Sequence, residues 1–173
     1  MLNTLVTLPF VRQTRRNHGL EHATIHLLSR RIANLSMAGR SDHLGFFLIG
    51  EASTETITRT VSDALGRLKG GDHGLAIHPN CGTNLVTTAY LTAGTGWLTL
   101  TTTQRRNPAD RFITLVVMML AALLVSPYIG TWLQKHVTTD GDPADLEVMS
   151  ITRQQIIWLG RPVTLHRVQT RSS

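Results

Sequence analysis

The order of apolar and polar positions divides the chain into three kinds of segment. The first, NHGLEHATIHLLSRR from Asn17 to Arg31, has helical spacing. At about 100° per residue, Leu20, Ala23 and Leu27 share one side and His18, His22, His26 and Ser29 the other. This predicts an amphipathic helix capped by Asn17, with Arg30 and Arg31 at its C-terminal dipole. The second kind alternates. Leu35 and Met37, a turn over Gly39, Ser41 and Asp42, and an apolar run from Phe46 to Ile49 predict a β-hairpin. Ser53 or Thr54 then caps a helix whose stripe is Ile57, Val61, Ala64, Leu65 and Leu68, and Gly70-Gly71 ends it. Gly74 to His78 reads as a short strand. Leu146 to Thr152 and Val163 to Thr170 alternate around a turn at Gly160-Arg161-Pro162, and should pair with the earlier strands in one sheet.

The third kind has no charge. No Asp, Glu, Lys or Arg occurs from His73 to Gln104 or from Phe112 to Gln134. The second stretch contains FITLVVMMLAALLVSPYIGTWL, which meets the ~20 apolar residues of a membrane span, with Pro127 as a kink and Tyr128 and Trp132 as interfacial anchors. The first stretch holds eight Thr between Leu85 and Thr103. Thr hydroxyls can bond back to helix carbonyls, and Ala89, Ala93 and Gly96 allow close approach of a neighbour. It reads as a second span, joined to the other through the polar loop Gln104 to Arg111; a β-rich soluble segment is the alternative. The expected architecture is α+β: a small helix and antiparallel-sheet domain with an inserted two-helix transmembrane hairpin. Its divisions are an N-terminal arm (1–16), a polar domain (17–82), the hairpin (83–134) and strands completing the polar domain (135–173).

Composition sharpens this division. Charged residues make up 16% of the 173 residues, against roughly 25% in soluble domains. The deficit lies in the two uncharged stretches. Disorder is excluded by the apolar content and a disulfide scaffold by the single Cys81. The net charge of +6 fits adhesion to anionic headgroups, through pairs such as Arg15-Arg16, better than nucleic acid, because stacking aromatics are missing among the basic residues. The apolar run from Leu2 to Val11 is interrupted and followed by Arg, so it is not a secretory signal. A hairpin returns both flanks to one compartment. The expectation is a multi-pass inner-membrane protein with its polar domain in the cytoplasm. Its partners are the bilayer, a membrane-associated peptide or lipid-linked substrate, and a second copy through the hairpin.

Two constellations carry chemistry. In HGLEH, His18 and His22 stand four residues apart on one helix face and can share Zn2+, with His26 one turn further on. Glu21 can act as general base on a metal-bound water. The pattern HxxEH resembles the inverzincin metallopeptidases over these five residues, which implies His18 and His22 as ligands and Glu21 as base. The distal acidic ligand of that family has no clear counterpart; Glu51 and Glu55 are the nearest choices. Gly19 is a poor helix former inside the motif, and a polar helix face without metal is the alternative reading. The second constellation is HPNCGTN, His78 to Asn84. Cys81 precedes a helix N-terminus, where thiolate is favoured. It is a third ligand beside His78, a nucleophile paired with His78, or a passive residue in a tight turn. His43, His73, His136 and His166 read as surface or turn residues.

NHGLEHATIH, the AGRSD turn with GFFLIGE, HPNCGTN and the tail from KHVTT together resemble an uncharacterised bacterial membrane-protein family, a domain of unknown function, over Asn17 to Val168. The resemblance implies a membrane protein with a short polar domain and implies no activity. The functions that follow are a membrane-anchored metal-dependent hydrolase, a non-catalytic membrane protein that binds a metal or cofactor, and a Cys–His thiol enzyme.

Overall fold

The protein is described by a computed structural model at residues 8–104, 107–158 and 160–172. The start of the Leu2 to Val11 run, positions 105 and 106 of the polar loop, and position 159 lie outside the described residues. The chain forms two units, a polar unit (Met1–His78 with Lys135–Ser173) and a helical unit (Pro79–Gln134).

In the polar unit, helix α1 runs over Pro9–Arg31. Pro9 suits the first helical position because its fixed φ is helical and its missing N–H would have no partner there. The helix therefore starts well before Asn17. Asn17 is not its cap but a buried interior residue. Its Nδ2 donates to Asp42 O (2.9 Å), and its Oδ1 accepts from the Thr170 hydroxyl (2.6 Å). These tertiary bonds outweigh the residue's local preference for a helix end. Strands β1 (Ala38–Asp42) and β2 (Gly45–Ile49) form the expected hairpin. The segment AGRSD, expected as a turn, is its first strand. The turn falls at His43-Leu44, where Asp42 Oδ1 accepts the Leu44 N–H (2.8 Å). Gly45 follows with φ 141°, and a Cβ there would lie 2.0 Å from Val168 O.

Helix α2 (Thr54–Lys69) is capped by Ser53, whose hydroxyl accepts from Thr56 N–H, and buries Ile57, Val61, Ala64 and Leu68 as expected. The Gly74 to His78 segment is not a strand. His73–Ala76 is one 3₁₀ turn, tightened by bonds from Leu75 N to Asp72 O and Ile77 N to Gly74 O. It buries Leu75 and Ala76 without a ladder partner. Strands β3 (Glu147–Trp158) and β4 (Arg161–Arg171) complete an antiparallel sheet of order β1-β2-β4-β3. Leu20, Leu27 and Leu28 of α1 meet the α2 stripe, Phe46 and Leu48 of β2, and Val168 of β4 in one core. Each large core side chain contributes roughly 1.5–3 kcal/mol by leaving water.

The helical unit pairs α3 (Gly82–Thr102) with α4 (Pro108–Leu133). Among the described residues, only Pro108–Thr138 is long and apolar enough to cross a membrane. Of the two helices expected as spans, α3 does not meet this criterion, because it is too rich in Thr to match α4 in hydropathy. All eight of these Thr hydroxyls nevertheless donate to the carbonyl four residues back, from Thr87 to Thr83 O through Thr103 to Thr99 O. The contact between the helices is small and polar: Thr87, Gly96 and Thr99 against Ala122, Ser126 and Gly130 are buried. Leu85, Tyr90, Trp97, Leu124 and Tyr128 are exposed. Pro127 stays inside α4. It has no N–H for Leu123 O, and the Ser126 hydroxyl reaches that carbonyl instead (3.1 Å). At the same end of the pair, Gln134 Nε2 donates to Asn84 Oδ1 (2.9 Å), and Asn84 Nδ2 to Pro79 O (2.7 Å).

Candidate metal centre

The four histidines singled out by the sequence gather inside the polar unit. His18 and His22 come from successive turns of α1, with ring centres 4.3 Å apart. His78, at the end of the segment after the 3₁₀ turn, lies 5.9 Å from His22 and 6.0 Å from His26. Two imidazoles sharing a cation through nitrogens at ~2.0–2.1 Å have ring centres about 5 Å apart, so the first two separations bracket that value.

Backbone carbonyls fix the tautomers of the first pair. His18 Nδ1–H donates to Thr138 O (2.9 Å) and His22 Nδ1–H to Ala76 O (2.7 Å). A carbonyl only accepts, so in the neutral tautomer of either ring the lone pair sits on Nε2. Ligating histidines are held in this way, with the second nitrogen tied to a carbonyl or carboxylate. The two anchors come from the 3₁₀ turn and from the segment that returns from the helical unit. Those same stretches line an open cleft with His73, Ala76, Lys135, Thr139 and Asp140 among its walls.

Gly19 explains itself here. A Cβ at this position would meet Asp140 O at 2.2 Å and Asp140 C at 3.1 Å. The return segment lies directly on α1, held by Asp140 N to Arg15 O (3.0 Å) and by Arg15 to Thr139 O (2.9 Å). The residue that weakens the helix locally is the one that admits the His18 anchor.

Glu21 is buried and turns toward β1. Its carboxylate accepts from the Ser41 hydroxyl and covers Gly39, where a Cβ would lie 2.0 Å from Oε1. Burial raises its pKa, opposed by the Ser41 bond and the nearby His18. His78 is held below the usual histidine range by burial and then by His22 and His26. His26 is lowered by burial and by Arg30, against Asp72. Arg30 donates to His26 Nε2 (3.2 Å), and His26 Nδ1 has no hydrogen-bond partner among the described residues. Its Nε2 is thus occupied. Cys81 belongs to the helical unit, where it is buried and caps α3, its sulfur accepting from Thr83 N–H (3.3 Å).

The remaining histidines are not all peripheral. His73 donates to Gly141 O (2.7 Å) and His43 stands edge-on to Phe10. His166, expected at a surface, is fully buried between the sheet and α2, with Nε2 at 3.2 Å from Thr54 Oγ1 and no partner on Nδ1 among the described residues. Strand alternation carried that signal, since Thr164, Val168 and Thr170 on the same face are also buried.

An α+β unit with paired, carbonyl-anchored imidazoles, continuous with a strongly apolar helix, is the class of protein defined by these features. The chain belongs to the family described as domain of unknown function (DUF6391), which matches residues 13–151. It is similar to an uncharacterised protein of Picosynechococcus sp. (strain ATCC 27264 / PCC 7002 / PR-6), at 33% identity over 143 residues. That match covers 75% of this chain and 66% of the relative, so the chain spans just under two thirds of the curated relative's length. No solved structure matches it.

Proposed function

We propose that the protein is a membrane-anchored metal-binding protein in which His18 and His22 hold a cation through Nε2. The observation that carries this reading is the adjacent pair of imidazoles, each with Nδ1–H committed to a carbonyl. Imidazole nitrogens suit Zn2+, whose remaining positions a further ligand, water or substrate would fill. Helix α4 is the proposed anchor in the bilayer, with α3 packed along it. The small, polar contact between the helices and the apolar outer faces support this.

Metal analysis of the full chain purified in detergent tests the site. Stoichiometric zinc is expected in the wild type and in His26→Ala, and its loss in His22→Ala. Metal-free wild type, or unchanged metal in His22→Ala, overturns the reading.

A hydrolase acting on a peptide or lipid-linked substrate is the second reading. It is favoured by Glu21, a buried carboxyl of raised pKa next to His22. In it, a bound cation would supply an acidified water and Glu21 would be the base that accepts its proton. Glu21→Gln with normal metal content but lost cellular function supports it; retained function leaves a binding role alone.

A further inference from the structure

Strand β3 is an edge of the sheet, and among the described residues its far half has no cover. Strand β2 pairs with β4 only over Gly45↔Gln169 to Ile49↔Leu165, while β3 and β4 continue together to Trp158↔Arg161. Beyond Leu165 the sheet is therefore a two-stranded ribbon, a structure of marginal stability in water on its own. Ile157 is 82% exposed and Ile156 37% exposed.

The direction of the free backbone groups follows from the register. Thr164 O accepts from Gly50 N and Thr170 N donates to Leu44 O, so even-numbered β4 residues bond toward β2. Odd-numbered β4 residues then bond toward β3. Their partners there are Thr152, Gln154 and Ile156. The backbone groups of Ile151, Arg153, Gln155 and Ile157 consequently point out of the sheet edge.

We infer that this edge pairs with the same edge of a second copy, as an antiparallel two-fold contact centred on Gln154. Only odd residues can bond across, so the pairing must set odd opposite odd. Centring on Arg153 would set two like charges against each other. Centring on Gln155 would set Arg153 against Ile157. Centring on Gln154 sets Arg153 opposite Gln155, Thr152 opposite Ile156 and Ile151 opposite Ile157. Every apolar side chain then meets an apolar or β-branched one, and the guanidinium meets an amide. The bulge between Val148 and Ser150 ends the flat part of the edge on one side.

Cysteine crosslinking of the full chain in detergent solution, under mild oxidation, tests this. Across the two-fold axis the Gln154 Cβ atoms would lie about 4.5–5.5 Å apart on one face. Gln155 would stand two positions from its own copy, with Cα atoms beyond the ~7 Å limit for a disulfide. Gln154→Cys is expected to form a disulfide between the two copies at that position, identified by mass spectrometry, at least about tenfold faster than Gln155→Cys forms its own. Adding Gln155→Pro to Gln154→Cys should abolish the dimer while leaving the fold intact, because the Gln155 N–H faces outward. Equal rates for the two variants, or no disulfide in Gln154→Cys, overturn the proposal. So does a thiol in Gln154→Cys that is shielded from a water-soluble maleimide without crosslinking, which would mean that something else covers the edge.

Discussion

Replacing Gly19 by alanine sets two opposed effects against each other. In an exposed helix the change would stabilise by about 1 kcal/mol, because glycine is the poorer helix former. Here the added methyl falls 2.2 Å from Asp140 O, a backbone atom that cannot rotate away. Restoring an ordinary contact requires the return segment to retreat by roughly 1 Å or more. Overpacking of this kind costs about 1–3 kcal/mol. A retreat of that size also breaks Asp140 N to Arg15 O and strains Arg15 to Thr139 O, worth about 1 kcal/mol each. The net expectation is a loss of about 2–4 kcal/mol, or about 10 °C in melting temperature for a unit of this size. Thermal denaturation of the metal-free protein, followed by circular dichroism, measures it. A Gly19→Ala protein as stable as wild type, or more so, would refute the close approach of the return segment to α1. Metal content reads the second consequence, since displacing Thr138 releases the His18 anchor.

Three further outcomes are expected. Gly130→Ala puts a methyl 2.2 Å from Asn84 Oδ1, and should lower the thermal stability of the helical unit in detergent, whereas Gly94→Ala, with nothing within 4 Å, should not. Burial, helped by Arg153 and opposed by Glu51, lowers the pKa of His166. Above about pH 6.5 both states hold this residue neutral; below it the unfolded chain gains a proton that the native state resists. The urea midpoint of metal-free protein should therefore fall as pH drops below about 6.5, and fall less in His166→Gln; an equal slope in both would exclude His166 as the source. Asp42, despite partial burial, is held below the usual carboxylate range by Arg167, which donates to both of its oxygens, and by Leu44 N–H. Its contribution is present above the ordinary carboxylate pKa and lost as pH falls through its lowered one, so Arg167→Met should reduce the loss of stability at strongly acid pH.

The helix stripe of α2, the strands β2, β3 and β4 and the His row were legible because each rests on local periodicity. Several misreadings come from partners that local composition does not show. Asn17 has the chemistry of a cap, but Asp42 and Thr170 claim its side chain. AGRSD has turn composition, yet β2 supplies a ladder for it. His166 is polar in a strand whose neighbours on the same face are buried, and polarity alone pointed outward. The site was legible in its residues but not in its geometry. Nothing local shows that Thr138 and Ala76 carbonyls set the tautomers of His18 and His22, or that Arg30 takes the Nε2 of His26. Helix α3 reads as a span only if charge-free is equated with apolar, and its Thr content separates the two properties.

The polar unit is assembled from two stretches of chain with the helical unit encoded between them. This sets an order on biosynthesis. When residues up to the end of α2 have been made, β2 still lacks β4, and Phe46 and Leu48 lack Val168. His22 can be anchored once Ala76 has emerged, but His18 must wait for Thr138, and Asn17 for Thr170. The nascent N-terminal part remains incomplete until both helices of the other unit have been translated. A chain truncated after α4 would carry every histidine of the candidate centre and only half of its scaffold.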